Sequence, residues 1–278
     1  MFSRADDVFS VRIPPFGALG TGVSGLYGSV ARLVRLVFLA GWLAQGLLIL
    51  ALCFPWLTAP ARGMVTRFWS RGMLQILGVH CRVDGALQQA GGLLVANHVS
   101  WLDPFVLLSM QPMHFVAKSE IRRWPVFGWL ADHAGTVFIE RERVRDVHRV
   151  AEVFAGHVGQ GEIVAMFPEA TTSDGTFVRP FKTALFQVAV TQNVLCLPVA
   201  LSYAQAQAAW IDDMGFVQSV WRISALRRLD VRVVVCDALS PAGLGRRELA
   251  RRGESAIADA LSLPVRRNQS ETSDDRPV

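Results

Sequence analysis

The chain has 278 residues, of which 51% are hydrophobic and 18% are charged, with a mean hydropathy of +0.32. So much apolar surface excludes a disordered protein, and the length allows a core that needs no disulfide or structural metal. The charged fraction is below the roughly 25% usual for soluble domains, which points to a lipid surface. The four cysteines form no CxxC pair, so we predict reduced, buried thiols in a protein that faces the cytosol.

The net charge of +5 comes from arginine, because lysine occurs only at Lys118 and Lys182. No Asp or Glu occurs between Val8 and Val83. The same stretch carries arginines at Arg12, Arg32, Arg35, Arg62, Arg67, Arg71 and Arg82. Arginines beside an apolar segment attract anionic lipid headgroups, so membrane lipids are expected partners. These arginines do not interleave with aromatics on a polar face, so we expect no nucleic-acid partner.

Residues 1–29 are rich in Gly, Ser and Pro, and we predict a flexible leader there. The stretch Gly20–Gly25 fits the GxGxxG pattern of dinucleotide-binding proteins. That fingerprint needs a preceding strand and an acidic residue about 20 positions later. No convincing strand precedes it and no acid occurs before Asp84, so we exclude a dinucleotide site.

Leu36 to Phe54 is nearly all apolar, interrupted only by Gln45. As a helix this segment spans about 28 Å, close to the roughly 30 Å of a bilayer core. Two arrangements remain open. The helix could cross the membrane, or it could pair with a second helix over 62–77 that dips into the bilayer and returns. Both make residues 30–77 a membrane-associated helical segment.

From residue 78 short β-rich runs alternate with helical stretches. This favours an α/β domain over 78–262 with a mainly parallel sheet flanked by helices. Residues 263–278 are polar, and we predict a disordered tail there. The predicted strands are Gly92–Ala96, His114–Ala117, Thr136–Ile139, Glu162–Phe167, Val194–Leu201 and Val231–Cys236. The predicted helices are Pro104–Met110, Val144–Val158, Lys182–Thr191 and Arg246–Leu261.

The first motif with chemical potential is residues 97–104, NHVSWLDP, directly after a predicted strand. Asp103 and Pro104 are typical of a helix start, with Asp103 at the N-cap. His98 then lies at the carboxyl end of a strand, where α/β sheets bind ligands, and could fold back onto Asp103. A carboxylate on one imidazole nitrogen leaves the other as a base. Ser100 leaves a Ser-His hydrolase open, although the setting is not a GxSxG elbow.

Two further motifs place polar residues after a predicted strand. Residues 135–141, GTVFIER, end at Arg141. Its guanidinium could hold a phosphate or carboxylate, or it could belong to a solvated charge cluster. Residues 167–175, FPEATTSDG, contain Glu169, which could bind a hydroxyl or only occupy a turn.

Together these motifs resemble the glycerolipid acyltransferase family, typified by 1-acylglycerol-3-phosphate acyltransferase. The family's blocks NHxxxxD, GxxFIxR, FPEGTRS and a Val/Ile-Pro strand appear in order at 97–103, 135–141, 167–173 and 197–199. The segment 115–128 also resembles the family between its first two blocks. The resemblance covers roughly residues 80–240.

The resemblance implies transfer of a fatty acyl group from acyl-ACP or acyl-CoA to the free hydroxyl of a lysolipid. The acceptor it implies first is 1-acyl-sn-glycerol-3-phosphate, which would become phosphatidate. His98 would be the general base and Asp103 would orient it, with no metal and no cofactor beyond the acyl co-substrate. The implied substrate-binding residues are Asn97, Arg141, Phe167, Pro168, Glu169, Thr171 and Lys182.

One departure from the family pattern concerns the acceptor. The family's Gly-Thr-Arg is Ala170-Thr171-Thr172 here, so a possible phosphate ligand is missing. A lyso-ornithine lipid, which lacks the glycerol phosphate, therefore stays open as the acceptor, with Arg179 or Lys182 as possible substitutes for the arginine. We expect a bacterial inner-membrane protein with its catalytic domain on the cytoplasmic face.

Overall fold

The structure, a computed structural model, describes residues 26–87, 91–123, 127–133, 135–139, 144–211 and 213–266. The helices within these residues are α1 (Leu26–Leu52), α2 (Ala59–Ile76), α3 (Asp103–Met110), α4 (Phe127–His133), α5 (Val144–Gly159), α6 (Phe186–Thr191), α7 (Phe216–Ser224) and α8 (Arg246–Leu261). The strands are β1 (Val79–Asp84), β2 (Gly92–Ala96), β3 (His114–Lys118), β4 (Val137–Ile139), β5 (Ile163–Met166), β6 (Cys196–Tyr203) and β7 (Leu229–Val235).

The strands form one seven-stranded sheet in the order β1-β7-β6-β2-β5-β3-β4. Every neighbouring pair is parallel except β6 and β7, which run antiparallel. The predicted mainly parallel α/β sheet is therefore confirmed. Because β2, β3, β5 and β6 point the same way, the loops that follow them meet at one edge of the sheet.

Helices cover both faces of the sheet, and strand residues alternate between two buried clusters. Leu94 and Ala96 of β2 pack into the cluster that α2 and α3 cover. Leu93 and Val95 of the same strand pack into the other cluster, which contains residues of α5, α6 and α8. The two cores bury β2 on both faces, so the loop that follows β2 starts from a fully buried strand.

Helices α1 and α2 form a pair joined through two tryptophans. Trp42 Nε1 donates to the Trp69 carbonyl at 3.0 Å, and Trp69 Nε1 donates to the Trp42 carbonyl at 3.1 Å. Each indole lies against a glycine of the opposite helix, where a Cβ on Gly46 or Gly72 would overlap the ring. The second helix that the sequence suggested over 62–77 is present as α2 (Ala59–Ile76), and it packs against α1.

Much of the surface of α1 is apolar and exposed. Its residues Gly28–Leu52 are long and apolar enough to cross a membrane, by length and composition. Val37 and Phe38 are each 63% exposed, and Trp56 in the turn to α2 is 87% exposed. Large apolar side chains in contact with water are unfavourable at this density, so this surface suits lipid. The predicted leader lies outside the described residues up to position 25, Gly20–Gly25 included.

All six predicted strands are present, with ends shifted by up to two residues. Strand β1 and helices α4 and α7 were not predicted. The predicted tail begins too early, because the backbone of residues 264–266 pairs with Val178. The prediction of buried thiols is right for Cys196 and wrong for Cys53 and Cys81. Cys53 directly follows α1, Cys81 lies in the edge strand β1, and both are exposed free thiols.

Candidate active site

The loop between β2 and α3 brings His98 and Asp103 into contact. His98 Nδ1 lies 2.8 Å from Asp103 Oδ2. An ionised carboxylate accepts a hydrogen bond from Nδ1–H, which leaves the lone pair of Nε2 free to take a proton. Asp103 is fully buried, whereas the His98 side chain keeps 19% of its surface exposed. The imidazole is therefore accessible from solvent while its carboxylate partner is not.

Asp103 holds the whole loop, and it does so differently from the expected N-cap. Helix α3 begins at Asp103 itself, so the residue is one position inside the helix. Its Oδ2 accepts from the backbone N–H groups of Val99 at 2.8 Å and Ser100 at 2.9 Å. Its Oδ1 accepts from the hydroxyl of Tyr203 at 2.6 Å. These donors satisfy a buried charge that would otherwise be costly, and they fix the carboxylate against His98.

Asn97 joins the loop to strand β6. Its Nδ2 donates to the Leu201 carbonyl at 2.9 Å, and its Oδ1 accepts from the Leu201 N–H at 2.8 Å. Both polar ends of this buried side chain are thus paired with backbone. Asn97 does not lie among the residues that line the groove beside His98.

Ser100 is fully buried, and its hydroxyl accepts from the Leu102 N–H at 3.3 Å. It does not lie among the residues that line the groove beside His98. A nucleophile has to be within reach of its base and of the substrate carbonyl. The structure therefore gives no support to the Ser-His hydrolase.

Phe167 and Glu169, from the loop after β5, contact His98 from a second side. The ring of Phe167 stacks on the His98 imidazole with a centroid distance of 4.1 Å and an angle of 14°. Glu169 is buried, and its carboxyl accepts from the His98 N–H at 3.4 Å and the Arg179 N–H at 3.2 Å. Glu169 thus ties two loops together at the base of the site.

Burial raises the pKa of Glu169 from its ordinary 4.5 to about 8, even though its backbone donors from Arg179 and His98 oppose the rise. The neighbouring Asp103 carboxylate adds to the rise. A neutral Glu169 at pH 7 avoids placing two buried negative charges beside each other.

The other predicted binding residues of this loop have mixed placements. Pro168 is buried, and its carbonyl accepts from the Lys182 N–H at 2.9 Å. Lys182 is exposed, and so is Thr171, which lines the groove beside His98. Arg141 lies outside the described residues.

An apolar groove of about 630 Å³ opens beside His98. Its wall includes residues of the α1–α2 pair and the turn between them, of α3, of β3 and of the loop after β5, among them Leu50, Phe54, Trp69, Phe105, Phe115 and Phe167. Such a volume lined mainly by hydrocarbon and aromatic groups is typical of a site for an apolar ligand. The groove joins the exposed apolar helices to the His98–Asp103 pair.

Comparison with known proteins agrees with this site. A family model described as Acyltransferase matches residues 79–202. Over 207 residues the chain is 35% identical to the lyso-ornithine lipid O-acyltransferase of Pseudomonas aeruginosa, covering 73% of this chain and 80% of that protein. The chain belongs to the glycerolipid acyltransferase family. It is accordingly an O-acyltransferase.

One further relative and one solved structure of the same fold are informative. It is 40% identical to the 1-acyl-sn-glycerol-3-phosphate acyltransferase of Neisseria meningitidis serogroup B over 177 residues, which is 60% of this chain and 69% of that protein. The crystal structure of the LPA acyltransferase PlsC from Thermotoga maritima shares the fold with a TM-score of 0.62 and 19% identity, covering 89% of this chain and 99% of that one.

The acyltransferase differs from its family's motif at two positions with visible consequences. Ala170 replaces the motif's glycine and adopts φ +68°, a conformation that costs a residue with a Cβ about 1–2 kcal/mol. Thr172 replaces the motif's arginine, and its hydroxyl donates to the Trp210 carbonyl. Thr172 therefore anchors the loop after β5 at Trp210. The backbone N–H of Trp210 in turn donates to the Val99 carbonyl at 2.9 Å.

Sequence reasoning missed Tyr203, which completes the Asp103 environment. The sequence signal for Tyr203 was weak, because the strand predicted over Val194–Leu201 stops two residues before Tyr203, which is the last residue of β6. Only the parallel pairing of β6 with β2 brings Tyr203 to the loop that carries Asp103.

Proposed function

We propose that this acyltransferase moves a fatty acyl group from an acyl thioester to the free hydroxyl of a lysolipid at a membrane surface. The observation that carries the proposal is the contact of Asp103 with His98 at the wall of an apolar groove. The groove suits an acyl chain, and the pair suits removal of a proton from a hydroxyl.

In the reaction, His98 Nε2 takes the proton of the acceptor hydroxyl as its oxygen attacks the thioester carbonyl. The new C–O bond replaces the C–S bond, and the leaving thiolate receives the proton from His98. Asp103 holds Nδ1–H throughout and stabilises the imidazolium that forms. The donor is acyl-ACP or acyl-CoA, and no metal takes part.

Two acceptors fit this chemistry. Lysophosphatidate is supported by relatives such as the Neisseria meningitidis enzyme. A lyso-ornithine lipid is supported by the Pseudomonas aeruginosa enzyme, which matches a larger share of this chain, and by Thr172. The hydroxyl of Thr172 lacks the charge and the bidentate geometry with which an arginine binds phosphate. This difference favours the acceptor without glycerol phosphate.

The membrane setting follows from the exposed apolar face of α1 and from the arginines around it. We place the protein at the cytoplasmic face of the bacterial inner membrane, where acyl-ACP and acyl-CoA are available. The groove reaches the α1–α2 pair, so a lipid acceptor can enter from the bilayer without crossing water.

The test uses protein purified in detergent with labelled acyl-ACP and acyl-CoA, and offers lysophosphatidate and lyso-ornithine lipid in parallel. His98→Ala is expected to lower kcat by about 10²–10⁴-fold, as loss of a general base does. His80→Ala changes an exposed histidine on β1 and is expected to keep full activity. Equal turnover by His98→Ala and wild type would overturn the mechanism. Transfer to neither acceptor would overturn the substrate class.

A further inference from the structure

Two histidines and a glutamate converge at the opposite edge of the sheet from His98. His114 is the first residue of β3, Glu162 immediately precedes β5, and His157 lies in the last turn of α5. Strands β3 and β5 run parallel to β2, so their starts lie about 15 Å from the loop that carries His98. One ligand atom from each of the three residues lies within 4.8 Å of the other two.

The carboxylate lies between the two rings. Glu162 Oε2 is 2.6 Å from His157 Nδ1 and 3.2 Å from His114 Nε2. The two imidazoles stack with a centroid distance of 3.8 Å and an angle of 21°. All three side chains are partly buried and about 25–30% exposed, so an ion can reach them from solvent.

The contact of His114 with Gly135 determines which ring nitrogen faces Glu162. His114 Nδ1 lies 3.3 Å from the Gly135 carbonyl, which can only accept, so Nδ1 carries the proton. When the ring is neutral, this tautomer turns the lone pair of Nε2 toward Glu162 Oε2, 3.2 Å away. A cation between these atoms removes the repulsion.

The contact of His114 Nδ1 with the Gly135 carbonyl is one that metal-binding histidines usually make. Such a histidine donates the N–H that does not face the metal to a carbonyl or carboxylate, which orients the ring. Gly135 is suited to this role, because it adopts φ +81° and a Cβ there would lie 2.7 Å from His114 Nδ1. His157 and Glu162 are held close together by a tight turn, in which the Glu162 N–H donates to the His157 carbonyl at 3.0 Å.

We propose that His114, His157 and Glu162 bind a divalent transition-metal ion, with Zn²⁺ as the first candidate. Two imidazoles and a carboxylate suit a tetrahedral zinc site whose fourth position is water. Ca²⁺ and Mg²⁺ require more oxygen ligands than this cluster offers. The ion would join α5 to the starts of β3 and β5, far from the acyl-transfer chemistry. Its role would be to stabilise this end of the sheet.

The experiment is a Zn²⁺ titration of the full chain in detergent at pH 7.5, after treatment with EDTA and its removal. We expect one ion per chain, and a rise in the unfolding temperature on binding. His114→Asn, His157→Asn and Glu162→Gln should each weaken binding by more than about 100-fold, since even outer-shell changes weaken metal sites 10–100-fold. His80→Asn and His98→Ala should bind as wild type does.

Wild type that binds no Zn²⁺ at 100-fold excess would overturn the proposal, and so would unchanged affinity in the cluster variants. X-ray absorption of zinc-loaded wild type gives an answer that needs no variant. We expect nitrogen and oxygen neighbours at about 2.0–2.2 Å. A sulfur neighbour at about 2.3 Å would place the ion at a cysteine and overturn the assignment.

Discussion

The hydroxyl of Tyr203 donates to Asp103 Oδ1 at 2.6 Å, across 100 residues of sequence. Asp103 Oδ2 is occupied by His98, Val99 and Ser100, so Tyr203 alone among the described residues holds the second oxygen. A rotation of this carboxyl group would move the His98 ring. We therefore expect Tyr203 to act as a positioning residue through Asp103.

Tyr203→Phe removes this hydrogen bond and little else. A hydrogen bond to a charged group contributes about 1.5–3 kcal/mol. We expect kcat to fall about tenfold or more and the KM of the acceptor to stay nearly constant, because Tyr203 does not line the groove. Steady-state kinetics with both substrates measure this split, and circular dichroism checks the fold. An unchanged kcat would show that three donors hold Asp103 adequately.

The sequence predicted the central part of the fold well because buried parallel strands leave a strong signal. Runs such as Gly92–Ala96 are continuously apolar, and turns bound them clearly. Strand β1 was missed because it lies at the sheet edge, where His80, Cys81 and Arg82 are exposed. Its alternation of apolar and polar residues was the available signal. The antiparallel β6–β7 pair had no local signal, since strand direction is set by tertiary packing.

For the candidate site, the sequence predicted that His98 and Asp103 meet, but it did not predict all the contacts around them. The five-residue spacing suggested that His98 reaches Asp103, and the structure brings them together. Asn97 was expected at the substrate, yet its amide is paired with the Leu201 backbone of a distant strand. Such long-range pairings depend on the order of strands in the sheet, which residue spacing does not encode.

Glu169 should make folding stability depend on pH. Its pKa is about 8 in the folded chain against an ordinary 4.5, so between these values the unfolded chain loses a proton that the folded chain keeps. The stability from this group is therefore complete below about pH 4.5 and declines as pH rises to about 8, by at most about 1.4 kcal/mol per pH unit.

The check compares the unfolding temperatures of wild type and Glu169→Gln from pH 5 to pH 8. Wild type should lose stability more steeply across this range, because glutamine does not ionise. Glu152→Gln, at an exposed position of α5, is the matched control and should follow wild type. Parallel curves for wild type and Glu169→Gln would contradict the prediction.

Ala170→Gly should stabilise the loop after β5. Ala170 has φ +68°, which costs about 1–2 kcal/mol for a residue with a Cβ. Glycine removes this strain, but it also raises the conformational entropy of the unfolded chain, which offsets about 0.4–1 kcal/mol of the gain. We expect a net gain of up to about 1.6 kcal/mol in the free energy of unfolding, measured by thermal unfolding. Loss of stability would mean that contacts of the Ala170 methyl group outweigh the strain.

Gly46→Val should separate the α1–α2 pair. A Cβ at Gly46 overlaps the indole of Trp69, so the ring has to move and its hydrogen bond to the Trp42 carbonyl is lost. Overpacking of this kind costs about 1–3 kcal/mol. Because Gly46 and Trp69 both line the groove, acyl transfer should fall as well.

The matched control for this change is Gly41→Val on the same helix, where a Cβ meets nothing within 4 Å. Both variants introduce the same β-branched side chain into α1, so their helix propensities change equally. Unfolding temperature, tryptophan emission and turnover should all differ between the two variants, with Gly41→Val close to wild type. Equal behaviour would show that the tryptophan–glycine contacts do not hold the pair together, and that the groove depends on α1 less than its lining suggests.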